Sequence, residues 1–372
     1  MKDFKKPKRN KKIAIIFEDG RMGGPHKQII YFLNKLNNIE IKNYSLIVPS
    51  GYRKKFLKLL VNKNFKIYEF NFTVPSIKKI FIYFKNFMHE CYKLKKLLNK
   101  KNFDKVYVAE GTIAFKSIIS SIAAKTKIIW HIHDCSCNIF IKLIFYLLKN
   151  KVEKIIFASN RSKQYYLGNY NNNKSSILTS SIDINKFKKK FKNKVIYIGL
   201  ISNISPNKGI ELYFKIVNNI KITDVKFFLI GNLWETQKKY FFEICKKYPM
   251  ALKKIYWISN NHNPIEIISR LDITLCTSIS ESMPLAICES MSSSSAIISC
   301  DVGDIKQYIE IKNLRAGVII KKRDASLYIK NIEKFFKFKN ILRKYQSNSR
   351  IVAKKFFDIK RYTINLNKIL TS

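Results

Sequence analysis

Residues 280–291 read SESMPLAICESM, and two glutamates, Glu281 and Glu289, lie at either end of a short apolar segment that contains a proline. The β-branched run before this stretch predicts a buried strand. Pro284 suits the first position of a helix, because the missing N–H of proline would have no partner there. We therefore expect a strand, a loop and a helix, with Glu281 before the helix and Glu289 inside it.

The start of this expected helix is a potential anion site, because the first N–H groups of a helix have no partner within it. Here those groups belong to Met283, Leu285 and Ala286. Glu289 follows Pro284 by five residues, or about 7.5 Å along the axis. Phosphate at the N–H groups and hydroxyls at the carboxylates would suit a sugar nucleotide. On spacing alone, an ordinary helix with two solvated acids is the alternative.

Short β-branched runs alternate with helical patterns along the rest of the chain, which predicts parallel sheets covered on both faces. The expected strands are 12–17, 44–48, 66–70, 105–109, 128–133, 155–158 and 176–178, then 195–199, 226–231, 254–258, 273–277 and 296–299. The expected helices are 25–36, 77–98, 209–220, 236–247, 265–269, 284–291 and 325–336.

The chain has 372 residues, which favours two domains, and a lysine-rich segment at 186–194 is the expected linker. We expect domains at 1–187 and 188–352 and a C-terminal helix at 353–372. A family resemblance carried by residues 280–304 implies that the first is the acceptor-side domain, that the second is the nucleotide-sugar domain and that the helix packs back on the first. The predicted fold class is α/β, with two doubly wound Rossmann-like domains facing a central cleft. Ligands of such sheets bind beyond the carboxyl ends of the strands.

The composition is strongly basic, with 71 Lys and Arg against 25 Asp and Glu, for a net charge of +46. Lys, Ile and Asn are abundant throughout, so coding bias is one explanation of the excess, and attraction to anionic membrane surfaces or anionic substrates is the other. The basic residues are dispersed and no nucleic-acid recognition motif occurs, which disfavours nucleic acid as a partner. No uncharged stretch reaches membrane-spanning length and the scattered cysteines suit a reducing compartment. We expect a cytoplasmic protein, peripheral at the inner face of the membrane.

The residues after Glu289, SMSSSSAIISCDVGD, complete a pattern that resembles the retaining group of GT-B glycosyltransferases, the glycosyl transferases group 1. That family carries a Glu-x7-Glu signature followed by small residues, a buried strand and a turn with glycine. Ser294 and Ala296 stand where the family usually has Gly and Pro, and Gln307 stands where it often has Glu.

The segment that ends in Gly199 and continues to Lys208-Gly209 resembles the family's strand-G-R-L…K-G segment, in which Arg and Lys clamp the donor diphosphate. Lys208 matches the Lys, but Leu200 stands at the usual Arg position, so another basic residue would have to replace it. Ile258 ends a strand that resembles the one beside the nucleotide base in the family.

The N-terminal half matches more loosely. Gly23 and Gly24 lie between a strand and a helix, as in the family's first glycine loop, although a plain turn is the alternative. His131 and His133 share one face of a strand and Asp134 follows them. The resemblance implies that His133 faces the donor sugar across the cleft, with a core role for His131 and a capping role for Asp134 as alternatives. Three further histidines are expected at the surface: His26, His89 and His262.

One more helix, within 76–101, carries an apolar stripe with lysines mainly off it. The stripe comprises Ile77, Ile80, Phe81, Phe84, Phe87, Met88, Cys91, Leu94 and Leu98. Two interpretations are open, namely a helix packed on its own sheet, or a basic amphipathic face that touches anionic lipid.

The resemblance implies a hexosyltransferase that moves a sugar from a UDP- or GDP-sugar to a glycan or lipid-linked acceptor, in cell-surface polysaccharide or glycolipid synthesis. Lys208 and the helix start would stabilise the leaving diphosphate, Glu289 would bind ribose and Glu281 the donor sugar. The donor-binding set also includes Ser282, Met283, Pro284 and Leu285. Neither a metal nor a cofactor is expected. A sugar-nucleotide epimerase of the same shape and a basic nucleic-acid-binding protein are the alternatives.

Overall fold

A computed structural model describes residues 11–20, 22–74, 80–168, 173–188, 195–259 and 264–372. The chain divides into two compact units. The first contains residues up to Ala158, with Ser162–Leu178 and Lys360–Ser372, and the second contains Ser159–Arg161 and Thr179–Ile359. Most of the expected linker, His262 and the first residues of the helix expected at 77–98 lie outside the described residues. The domain limits given above stay a prediction.

The first unit is built on a seven-stranded parallel sheet with the order β3-β2-β1-β4-β5-β6-β7. Its elements are Ile13–Ile16 (β1), Gly24–Leu33 (α1), Asn38–Ile41 (α2), Tyr44–Pro49 (β2), Arg53–Leu59 (α3), Lys66–Phe70 (β3), Ile80–Lys101 (α4), Lys105–Val108 (β4), Phe115–Ala123 (α5), Lys127–Ile132 (β5), Ile139–Leu148 (α6), Lys154–Phe157 (β6), Asn160–Leu167 (α7) and Ser175–Ile177 (β7).

The second unit is built on a six-stranded parallel sheet with the order β10-β9-β8-β11-β12-β13. Its elements are Ile196–Ile201 (β8), Ile210–Asn219 (α8), Val225–Ile230 (β9), Lys238–Lys247 (α9), Pro249–Lys254 (α10), Ile255–Ile258 (β10), Pro264–Ile268 (α11), Ile273–Cys276 (β11), Leu285–Ser292 (α12), Ala296–Cys300 (β12), Ile305–Ile309 (α13), Gly317–Ile320 (β13), Ala325–Lys337 (α14) and Lys339–Phe356 (α15). The helix that follows, Ile359–Thr371 (α16), lies in the first unit except for its first residue. The predicted α/β class with two parallel sheets is confirmed.

The central strands are continuous apolar runs because helices cover both faces of each sheet. All four residues of β1 are fully buried, and the strand pairs in register with β2 on one side and β4 on the other, where Ile13 lies opposite Tyr44 and Lys105. The same pattern holds for β12, all five residues of which are buried. A fully buried strand therefore needs no polar alternation.

One face of the first sheet is covered by α4, α5 and α6, whose inner side chains share a single hydrophobic core. At its centre the Trp130 ring lies 5.2 Å from that of Phe145, which lies 4.8 Å from that of Tyr166. Trp130 also donates from its indole nitrogen to the carbonyl oxygen of Gly111 at 2.8 Å, so its one polar atom is satisfied.

The last helix, α16, contributes to the first unit from residue 360 onward. The Tyr44 hydroxyl donates to Oδ1 of Asn367 at 2.5 Å, and Nδ2 of Asn367 donates to Glu40 at 2.7 Å. Tyr362 is 2% exposed. The end of the chain is thus part of the core that its beginning forms.

Helix α4 follows the predicted stripe only in its C-terminal half. Cys91, Leu94 and Leu98 are buried, whereas Phe81, Phe84 and Met88 are exposed. Of the two interpretations left open, that of a helix packed on its own sheet is wrong for the first two turns, where Phe81, Phe84 and Met88 are exposed to solvent. Among the helices that the structure describes, none combines the length and apolar character needed to cross a bilayer.

Candidate functional site

The strand order of the second sheet reverses between β8 and β11. From β8 the chain proceeds outward to β9 and β10, and from β11 it proceeds in the opposite direction to β12 and β13. In open α/β sheets, the loops after two such strands diverge and form the ligand crevice at their carboxyl ends. The loop after β8 carries Lys208, and the loop after β11 carries Glu281. The topology therefore brings together two segments that are far apart in sequence.

Backbone and hydroxyl hydrogen bonds join these two loops. Thr277 donates from Oγ1 to the carbonyl oxygen of Lys208 at 3.0 Å, and the N–H of Ile279 donates to the carbonyl oxygen of Asn207 at 2.7 Å. Gly209 has a φ of +64°, and a Cβ added there would lie 1.9 Å from the carbonyl oxygen of Thr277. Only glycine allows the loops to approach this closely.

Lys208 and Glu281 form an ion pair at this point. Nζ of Lys208 lies 2.6 Å from Oε1 of Glu281, and the side chains are 31% and 12% exposed. The hydroxyl of Ser278 donates to the same carboxylate oxygen at 2.7 Å. The crevice thus presents an ammonium group and a carboxylate side by side, which suits a ligand that carries both an anion and hydroxyls.

Helix α12 begins at Leu285, one residue later than predicted, because Pro284 is its N-cap with an extended ψ of 125°. The carbonyl oxygen of Pro284 accepts the N–H of Ile287 at 3.0 Å. The approach to the helix is held by Ser282, whose hydroxyl lies 2.8 Å from that of Ser159, and by Met283, whose carbonyl oxygen accepts the Ser180 hydroxyl at 2.9 Å. The first turn of α12 is therefore fixed in place directly after Glu281.

Glu289 lies in the middle of α12 and is only 5% exposed. A buried carboxylate is unfavourable unless it is paired or serves a ligand. The interpretation of 280–291 as an ordinary helix with two solvated acids is therefore wrong, since neither Glu289 nor Glu281 is at the open surface.

Of the other predicted residues in this unit, Gly199 lies inside β8, where an added Cβ would come within 2.5 Å of Leu271. Ile258 ends β10, and its carbonyl oxygen accepts the N–H of Gly231 at 2.9 Å. Leu200 is 2% exposed and belongs to the core, so its side chain does not contact a ligand in the crevice.

Arg323 is a basic residue that the sequence analysis missed. Its Nη2 donates to the carbonyl oxygen of Thr277 at 3.0 Å and lies 2.7 Å from where a Cβ of Gly209 would be. A guanidinium group therefore lies at the base of the turn that carries Lys208. The available signal was its position just beyond the carboxyl end of β13, a strand that was not predicted.

In the first unit, Gly23 is the N-cap of α1 and Gly24 is its first residue, with Pro25 next. His26 follows in the first turn, and the expectation that it lies at the surface is wrong because it is 5% exposed. Its Nε2 lies 2.8 Å from both Oε1 of Glu110 and the carbonyl oxygen of Asp19.

The Glu110 carboxylate organises the ends of two adjacent strands, β1 and β4. Besides His26, it accepts the N–H groups of Glu18 at 2.5 Å and of Asp19 at 3.0 Å. Burial acts to lower the pKa of His26, but the hydrogen bond and charge of Glu110 outweigh it and raise the pKa above its usual value. The sequence signal for this group was an acid directly after each of two buried strands.

His133 follows β5, and its ring centroid lies 4.0 Å from that of His131. Burial lowers the pKa of His133 to about 3, with a further lowering from the charge of His26, so the imidazole is neutral at physiological pH. His131 is fully buried and its Nδ1 lies 2.6 Å from the Tyr107 hydroxyl.

The structure also shows where Asp134 and His89 lie. Asp134 accepts the N–H and hydroxyl of Thr112 at 3.1 and 2.9 Å. His89 is exposed, as expected. Among the described residues no three His, Cys, Asp or Glu side chains are grouped so as to hold a metal ion.

Residues 181–352 match the family model of the glycosyl transferases group 1. No curated protein sequence matches the chain. Among solved structures, HepE from Anabaena in complex with UDP and glucose has a TM-score of 0.82 at 14% identity, covering 97% of this chain and 100% of that one.

A glycosyltransferase from Rickettsia africae ESF-5 has a TM-score of 0.78 at 15% identity, covering 97% of this chain and 98% of that one. WaaG, a glycosyltransferase involved in lipopolysaccharide biosynthesis, has a TM-score of 0.72 at 10% identity, covering 97% and 100%. At such identities these likenesses show the fold. Residues 181–352 thus match the glycosyl transferases group 1 family, and the chain has the two-domain GT-B fold of these glycosyltransferases.

Proposed function

We propose that this protein is a retaining hexosyltransferase that moves a sugar from a UDP- or GDP-sugar to a glycan or lipid-linked acceptor in cell-surface polysaccharide or glycolipid synthesis. The observation that carries the proposal is the Lys208–Glu281 ion pair of 2.6 Å, directly before the start of α12, the helix that contains buried Glu289. The HepE structures with UDP and with UDP-glucose favour a UDP-sugar.

In this proposal Lys208 and the free N–H groups at the start of α12 bind the diphosphate. They stabilise the negative charge that grows on it as its bond to the anomeric carbon breaks. Glu281 accepts hydrogen bonds from donor-sugar hydroxyls, and Glu289 accepts those of the ribose. Gly199, Ile258 and the 282–285 segment complete the donor site. His133, with Gly23 and Gly24, is the proposed sugar-contacting part of the first unit, since a neutral imidazole can both donate and accept a hydrogen bond.

The binding roles are tested by titrating UDP, GDP and their common hexose conjugates into the protein by calorimetry. Glu289→Gln keeps the side-chain volume but removes the charge that receives two hydroxyls, and we expect about a 10- to 100-fold loss of nucleotide-sugar affinity. The matched control is Glu310→Gln, which makes the same change at a carboxylate that pairs with Arg315 at 3.3 Å, before β13 begins. Unchanged affinity in Glu289→Gln would contradict the ribose assignment.

Turnover is tested by measuring release of the nucleoside diphosphate with and without candidate acceptors. Lys208→Ala is expected to lower kcat by about 10- to 100-fold, because one charge-assisted contact to the leaving group is lost. Conversion of the nucleotide sugar to its epimer, with no net release of the nucleoside diphosphate, would support the epimerase alternative. Tight, steeply salt-dependent binding of arbitrary DNA, with no nucleotide-sugar binding, would support the nucleic-acid alternative.

A further inference from the structure

Helix α6, with the sequence IFIKLIFYLL, presents an unusually apolar surface to solvent. Phe145 is fully buried and anchors the helix in the core of the first unit. The opposite side of the helix has no cover within that unit. Its outward side chains and their exposed fractions are Ile139 62%, Phe140 71%, Leu143 53% and Leu147 75%.

A second apolar surface lies on the N-terminal half of α4. Its outward side chains and their exposed fractions are Phe81 87%, Phe84 67%, Met88 72% and Tyr92 55%. Leu94 of α4 and Phe145 of α6 belong to the same core cluster, so both helices cover the same face of the first sheet. We call these two sets of side chains together the apolar face.

The charges around the apolar face are almost all positive. The only acid in α4 is Glu90, which is 6% exposed and lies 2.5 Å from Nζ of Lys116, while α6 contains no acid. Lysines accompany both helices: Lys85, Lys93, Lys95, Lys96, Lys100 and Lys101 in α4, Lys142 in α6, and Lys149 and Lys151 directly after it. A partner that binds this face must therefore have a negatively charged surface and an apolar interior beneath it.

We propose that the apolar face is a docking surface for an anionic lipid bilayer. Interfacial helices combine apolar side chains, which enter the boundary between headgroups and acyl chains, with lysines that reach up to the anionic headgroups. A protein partner would need acidic residues to pair with the lysines. Large aromatic side chains that project singly are better suited to entering a bilayer than to packing in a protein interface. The proposal deepens the function proposed above, on which it rests for its purpose, since a lipid-linked acceptor would be met at such a surface.

The test is flotation of the full chain with vesicles of phosphatidylcholine alone and of phosphatidylcholine mixed with phosphatidylglycerol. We expect binding to the mixed vesicles, weakened by added salt, and little binding to the neutral ones. The double variant Phe140→Glu/Leu147→Glu should lose roughly a hundredfold in vesicle affinity, because two large side chains no longer enter the bilayer and two charges oppose it. The control is Phe242→Glu, which changes a 61% exposed phenylalanine of α9 in the second unit and should bind as the unchanged protein does.

Equal flotation of the double variant and the unchanged protein would overturn the proposal, as would absence of binding to the mixed vesicles. Sedimentation velocity of the unchanged protein and the double variant tests the alternative that the apolar face binds a second copy of this chain. If the double variant dissociates an oligomer while vesicle binding persists, the face joins copies of this chain and the lipid proposal is wrong. Because flotation requires neither donor nor acceptor, its failure is distinguishable from a failure of nucleotide-sugar binding, which is titrated separately.

Discussion

Replacing Gly209 by alanine is expected to destabilise the second unit by much more than the loss of a glycine normally would. The residue has a φ of +64°, which costs a residue with a Cβ roughly 1–2 kcal/mol. The new Cβ would also lie 1.9 Å from the carbonyl oxygen of Thr277, inside any tolerable contact. Separating the two loops adds about 1–3 kcal/mol on the scale of overpacked cores, for a total of about 2–5 kcal/mol.

Gly168 provides the matched control. Its φ of +59° is nearly the same, but nothing lies within 4 Å of an added Cβ. Gly168→Ala therefore carries only the backbone cost of roughly 1–2 kcal/mol. The difference between the two variants isolates the contact with Thr277.

The measurement is differential scanning calorimetry of both variants and the unchanged protein. For a unit of this size, each kcal/mol lowers Tm by about 2–4 °C, so Gly209→Ala should lower the transition of the second unit by about 2–12 °C more than Gly168→Ala lowers that of the first. Losses that agree within about 0.5 kcal/mol would refute the close approach of the loops after β8 and β11.

The remaining predictions concern two buried charges of the first unit. Burial raises the pKa of Glu18 to about 7, against hydrogen bonds that lower it, from a usual value of 4.5. As pH rises, the unfolded chain loses the Glu18 proton before the folded protein does. The free energy of unfolding therefore falls between about pH 4.5 and about pH 7. The advantage of Glu18→Gln over the unchanged protein in urea unfolding should grow by about 2.5 kcal/mol from about pH 5 to about pH 8, and a constant difference would contradict the shift. Lys116→Met leaves the 8% exposed carboxylate of Glu90 without its ammonium partner and should cost about 3–5 kcal/mol. Lys247→Met removes the exposed pair with Glu211 and should leave urea unfolding unchanged, so equal losses would contradict the difference in burial.

The sequence predicts the strands of both sheets well where they are runs of buried β-branched residues. The exception is β13, Gly317–Ile320, where only four residues form the strand, two are half-buried and lysines follow at once. A short half-buried edge strand has neither a long apolar run nor a strict alternation, so its signal is weak. The fold class survives such an omission because the other strands and their connecting helices already determine it.

The candidate site could be predicted as a set of residues but not as a set of contacts. Glu281 and Lys208 are recognisable from their motifs, yet their ion pair depends on β8 lying beside β11, which is a property of the whole sheet. His26 was misjudged for a related reason, since its burial is decided by Glu110, which is 84 positions further along the chain. Local patterns cannot report a partner that only the tertiary fold supplies.

The exposed side of α6 was also beyond the sequence pattern. Ten residues with a single charge are typical of a helix buried on every side, whereas this helix has one face in the core and the other in solvent. The composition indicates that the surface is apolar, and only the structure shows which side chains remain uncovered.

The return of α16 to the first unit has a consequence for biosynthesis. Tyr362, Leu366 and Leu370 are buried, and Asn367 of the same helix bonds Tyr44 and Glu40, which the ribosome makes 323 and 327 positions earlier. The first unit therefore cannot complete its core while the second is still being translated. The second unit, which is almost continuous in sequence, can finish folding first, and a nascent chain waits with a partly open N-terminal unit until the last helix emerges.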